Sequence, residues 1–198
     1  MDNPQETAKL TEKAWLAGIL DGEGWVGFSL SKDERSKTRR TIIVKTEIKI
    51  NNTDKAIIDK CIAIFKKLGV NPYIRNMKVK KIRKRVYEVS TKNMTGVPKI
   101  LRATLPYLTG NKHQRAKYML EFIKLRKRSG MIEIPPKLYT GTGPRKLVAP
   151  YTDREVELVE KCKQLQNPGS SETTSGIKDK AVKDFKIRNQ QYKELLML

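Results

Sequence analysis

The sequence predicts an α+β fold: a compact unit over residues 1–130 in the order αββαββα, with a four-stranded antiparallel sheet and helices on one of its faces, followed by a helical extension over 131–198. Three observations carry this. Four segments have strand character, clearest where apolar and polar residues alternate with the two-residue period of a half-buried strand. The segments between them carry caps and an apolar stripe at helical spacing. Finally, 42 Lys and Arg stand against 21 Asp and Glu, a net charge of +21, so an exposed face of the molecule has to meet an anionic partner.

The first helix runs from Thr11, its expected N-cap, to Ile19, and the Gly-bearing run Asp21-Gly22-Glu23-Gly24 ends it. From Trp25 to Lys32, Val26, Phe28 and Leu30 face one way and Gly27, Ser29 and Ser31 the other, which is a strand. A polar loop, Asp33 to Arg40, leads to a second strand at Thr41–Asn51, with Ile42, Val44, Ile48 and Ile50 opposed to Lys45, Glu47, Lys49 and Asn51. Asn52-Thr53-Asp54 caps a helix that ends at Leu68-Gly69 and buries Ile57, Ile58, Cys61, Ile62 and Phe65. Strands at Tyr73–Val79 and Lys84–Ser90 flank a very basic turn, and helices follow at Thr95–Leu105 and from Asn111 to Gly130. From Met131 to Tyr151 the Pro- and Gly-rich chain reads as an extended connector. Thr152 and Glu155 form a capping box for a helix over about 152–165, residues 167–176 read as a linker, and a basic amphipathic helix closes the chain.

Composition removes whole classes of function. An apolar fraction of 38% excludes collagen, coiled-coil rods and wholesale disorder. The longest apolar stretches fall far short of the ~20 residues of a membrane span. The protein is expected to be soluble and intracellular, in the cytoplasm of a prokaryote or archaeon or in an organelle stroma or matrix. Cys61 and Cys162 make neither a disulfide framework nor a zinc site, and His113 is the only histidine. Catalysis has to rest on carboxylates, lysines and a hard metal ion.

The run Leu16-Ala17-Gly18-Ile19-Leu20-Asp21-Gly22-Glu23-Gly24, on a helix and followed at once by a strand, resembles the signature motif of the LAGLIDADG homing endonucleases. The likeness extends over about residues 10 to 128 and includes the αββαββα order. It implies a magnesium-dependent, sequence-specific DNA endonuclease of intron homing that cuts both strands of a long pseudo-palindromic site. The alternatives are a maturase of the same fold that binds intron RNA, and a non-catalytic DNA-binding regulator.

A chain with a single motif implies a homodimer, in which two motif helices meet through Leu16, Ala17, Gly18, Asp21 and Gly22. That pairing brings two Glu23 carboxylates together, and a hard divalent cation is their natural neutraliser. By resemblance Glu23 and the Gly22 carbonyl are metal ligands for Mg²⁺, with Mn²⁺ or Ca²⁺ fitting the same sites. Asn51 corresponds to a residue that positions water, Lys55 to a basic residue near the phosphate, and Lys112 to the active-site lysine. The open sheet face supplies recognition of double-stranded DNA. Ser29, Ser31, Lys45, Glu47, Lys49, Arg75, Lys84 and Glu88 mix donors and acceptors that can read base edges in a major groove. Arg39 and Arg40 in the first loop, and Lys80, Lys81 and Arg83 in the basic turn, are expected to grip phosphates.

Overall fold

The computed structural model describes residues 8–32, 42–78, 85–129, 131–133, 146–166 and 172–197. Its elements are α1 (Leu10–Gly22), β1 (Gly24–Lys32), β2 (Ile42–Asn52), α2 (Lys55–Lys67), β3 (Tyr73–Lys78), β4 (Arg85–Thr91), α3 (Gly96–Thr104) with a 3₁₀ turn at Leu105–Tyr107, α4 (Gly110–Ser129), β5 (Met131–Glu133), β6 (Lys146–Val148), α5 (Asp153–Gln164) and α6 (Glu172–Met197). The predicted αββαββα order is present, and β1 to β4 form a four-stranded antiparallel sheet in the order β1-β2-β4-β3.

Two compact units divide the chain. The first comprises Met1–Ser29 and Lys45–Leu120. Its core face is set by register: Ile48 lies opposite Thr91 and Ile50 opposite Val89. Val26, Phe28, Ile48, Ile50 and Val89 are fully buried, as are Leu16, Ala17 and Leu20 of α1, Cys61 and Phe65 of α2 and Ile100 and Leu101 of α3. Each large side chain of this set contributes roughly 1.5–3 kcal/mol by leaving water.

The helix starts show which side chains reach back. Asp54 accepts from the Ala56 amide at 2.8 Å and caps α2 as expected. At α1 the cap is Lys9, not Thr11. The Glu12 carboxylate returns to the Lys9 amide at 2.9 Å, which closes the first turn two residues earlier and leaves Thr11 inside the helix. Glu12 is also held by Lys67, whose ammonium at 3.0 Å keeps that carboxyl below the usual range.

The second unit comprises Leu30–Val44 and Glu121–Leu198. The division between the two compact units falls within α4, between Leu120 and Glu121. Ala116 and Met119 belong to the first unit, whereas Phe122 and Arg126, further along the same helix, belong to the second. The expected connector contains a short antiparallel pair, with Met131 opposite Val148 and Glu133 opposite Lys146. Likewise α6 starts at Glu172, inside the expected linker.

The Thr152–Glu155 capping box forms as read: the Thr152 amide donates to Glu155 at 2.8 Å and the Glu155 amide to Thr152 at 3.2 Å. Glu155 is fully buried and faces the Arg126 guanidinium at 3.4 Å. Arg126 also donates to the carbonyls of Pro150 and Ala149. Removing the cation alone strands a buried charge, so Arg126→Ala is expected to destabilise this unit by about 3–5 kcal/mol. Thermal unfolding followed by circular dichroism checks it.

Candidate active site and nucleic-acid face

The C-terminal end of α1 gathers the chemistry. Glu23 is its C-cap residue, and its amide returns to the Ile19 carbonyl at 2.9 Å, so its exposed side chain stands beside the carbonyls of the last turn. The negative end of a helix dipole favours cations. One is supplied from α4: the Lys112 ammonium donates to the carbonyls of Leu20 at 2.6 Å and Asp21 at 2.7 Å. Burial, with Arg115 nearby, lowers the Lys112 pKa, and Asp21 opposes the shift. In return Asp21 accepts from the Thr109 amide and hydroxyl, both at 2.9 Å, at the start of α4. The ends of α1 and α4 are therefore locked together by reciprocal polar contacts.

Asn52, the last residue of β2, donates its side-chain amide to the Glu23 carboxylate. Asn51 is not the strand-end amide that meets Glu23. Successive side chains alternate across a strand, so Asn52 shares the face of Ile50 while Asn51 lies on the opposite one. The two neighbouring asparagines look equivalent in sequence, and only the pleat separates them. Lys55 is exposed and paired with Asp59 at 2.6 Å, which raises its pKa. Burial pushes the Cys61 thiol up to about 12, with Lys60 opposing and Glu23 adding to the rise, so it stays a protonated core side chain.

On the helix face expected to pair, three positions are engaged within the protomer. Leu16 and Ala17 are fully buried in the protomer's own core, and Asp21 is engaged by Thr109. Gly18 and Gly22 are the open positions: a Cβ built on either meets nothing within 4 Å. Spaced four apart, they lie on one stripe of α1.

On the open sheet face, Ser29, Ser31 and Lys49 are half-buried and Lys45 and Arg75 exposed. Glu47 and Glu88 depart from the expected solvated positions, being only 7% and 6% exposed. Lys92 pairs with Glu47 at 2.9 Å, and Arg75 stands opposite Glu88 in the register. Arg39, Arg40, Lys80, Lys81, Arg83 and Lys84 lie outside the described residues. The sequence did not single out Lys92 or Tyr73. Tyr73 is 61% exposed and, with Asn71, Arg75, Ser90 and Lys92, lines a cavity of about 480 Å³ at one end of β3 and β4. Opposite Ser90 across β4, Tyr73 lies on the open face, which an exposed aromatic at a strand start signals only once the register is known.

This arrangement of sheet and helices recurs in solved structures. Homing endonuclease I-CvuI in complex with its target in the presence of calcium superposes with a TM-score of 0.54 at 18% identity, over 89% of this chain and 95% of that one. I-TnaI, a homing endonuclease, matches at 0.52 and 16% identity, over 89% and 99%. The chain has the LAGLIDADG homing-endonuclease fold. A third structure, the LAGLIDADG homing endonuclease I-LtrWI bound to target DNA, has a TM-score of 0.54 at 18% identity, covering 85% of this chain but 49% of that one. No family model matches the sequence, and no curated protein is significantly similar to it. Within the LAGLIDADG fold the motif residues occupy α1 and its C-terminal end, where Glu23, Asn52 and Lys112 are gathered. No described helix is long and apolar enough to cross a membrane.

Proposed function

We propose that the protein is a homodimeric, magnesium-dependent endonuclease that recognises a long pseudo-palindromic DNA site and cuts both strands. The observation that carries this reading is the end of α1, where an exposed carboxylate, oriented by Asn52, sits on a helix whose glycine stripe is open. Gly18 and Gly22 let a second copy of α1 approach closely, because interaxial distance depends on side-chain size at the contact. Two-fold symmetry then sets the two Glu23 residues side by side. That I-LtrWI is about twice as long as the segment it shares with this chain accords with two copies completing one site.

The donor set fits a hard cation. Glu23 and the main-chain carbonyl of Gly22 offer oxygen ligands only, which suits Mg²⁺ or Ca²⁺ and not a soft metal. Among the described residues no three His, Cys, Asp or Glu side chains cluster. A bound magnesium ion supplies positive charge to the phosphate oxygens during hydrolysis. Asn52 holds the Glu23 carboxylate in one orientation. Lys112 spends two of its three donors on the carbonyls of α1, which leaves one for a phosphate oxygen. The sheet presents Lys45, Lys49, Arg75 and Tyr73 to the DNA.

The decisive experiment is cleavage of plasmids carrying candidate sites with Mg²⁺ and with EDTA. Linearisation that requires Mg²⁺ supports the reading, and intact supercoiled DNA at every site under both conditions overturns it. Lys112→Met keeps the aliphatic stem and deletes the charge, and is expected to slow single-turnover cleavage about 10²-fold. A rate equal to wild type would limit Lys112 to helix capping.

A further inference from the structure

Tyr151 joins the C-terminal extension to a strand of the sheet. Its phenol oxygen accepts the Val44 amide hydrogen at 2.9 Å, across 107 residues of sequence. Val44 and Tyr151 both belong to the second unit, which comprises Leu30–Val44, with the distal ends of β1 and β2, together with everything after Leu120.

The ring that makes this bond is fixed from several sides. Phe122 stacks at 6.1 Å, Phe185 meets it edge-on at 5.2 Å, and the Arg126 guanidinium lies 4.3 Å from its centroid. Its backbone is held as well: Asn189 of α6 accepts the Tyr151 amide and donates to the Tyr151 carbonyl, each at 2.8 Å. A phenylalanine would fill the same core. The hydroxyl adds one thing, a bond to the backbone of β2 immediately before Lys45.

We propose that Tyr151 is a positioning residue that holds β2 at Val44 so that the adjoining Lys45 meets DNA in a fixed register. This rests on the DNA-endonuclease reading. A side chain that reads a base edge must be held to a fraction of an ångström, and Val44 lies beyond the stretch of β2, Ile48 to Asn52, that pairs with β4. Burial raises the Tyr151 pKa, so the phenol keeps its proton at neutral pH.

The test uses full-length Tyr151→Phe beside wild type and Lys45→Ala. In the free protein, hydrogen exchange at the Val44 amide is expected to accelerate by about tenfold or more, with the Ile48 and Ile50 amides unchanged. On a randomised target library, base preference is expected to relax about tenfold at the positions that Lys45→Ala also relaxes. Single-turnover cleavage of the best target at saturating protein stays at the wild-type rate. An unchanged Val44 amide overturns the clamp. A preference profile equal to wild type, or one relaxed equally at every position with a lowered melting temperature, overturns the positioning role. If wild type selects no DNA sequence, the endonuclease reading fails, and Val44 exchange still decides whether the clamp exists.

Discussion

Glu23→Gln is expected to reduce double-strand cleavage by at least ~10³-fold, about 4 kcal/mol of transition-state stabilisation, while DNA affinity stays within a few-fold of wild type. The substitution is nearly isosteric, and a glutamine oxygen still accepts the Asn52 amide, so the end of α1 keeps its geometry. On the proposed reading, what disappears is the negative charge that would hold the cation. The proposed DNA contacts lie elsewhere, on the sheet, and loss of an anion near phosphates slightly favours binding. The checks are single-turnover cleavage in Mg²⁺ and titration of labelled DNA in Ca²⁺. Cleavage within tenfold of wild type would remove Glu23 from the centre of the site.

On the proposed homodimer, Gly18→Leu is expected to leave a monomer that does not cleave DNA, without unfolding the protomer. A Cβ at Gly18 meets nothing within 4 Å inside the protomer, and leucine is a better helix former than glycine by up to about 1 kcal/mol, so the single chain tolerates the change or gains from it. Across a two-fold axis the same side chain occurs twice at one seam, and the two helices cannot close to the distance a glycine stripe allows. Light scattering should report the monomer mass together with a melting temperature at or above wild type. A stable, active dimer would place the interface elsewhere. Gly24 serves as the contrast: its added Cβ would lie 2.6 Å from the Leu20 backbone, so substitution there damages the protomer itself.

Patterns of period two and 3.6 and the residues that cap helices are local, and they were sufficient to order the elements of the first unit and to locate Glu23 at the end of a helix. Asp54 and the Thr152–Glu155 box were legible for the same reason, since each cap is made within three or four residues. What the chain does not encode locally was decided by tertiary structure. Leu16, Ala17 and Gly18 stand together in the expected helix seam, yet only the docking of α1 on its own core shows that the first two face inward and the third outward. That Asn52 meets Glu23 depends on the pleat at the end of β2, and the pairing of Glu47 on Lys92 from the turn beyond β4. The second unit shows this most plainly: Arg126, Tyr151 and Asn189 carry no motif in sequence, because a buried polar cluster is defined by partners tens of residues apart. Sequence by itself determined the elements, their order and the motif carboxylate; which face each side chain shows, and what it touches, followed from long-range packing that no local period contains.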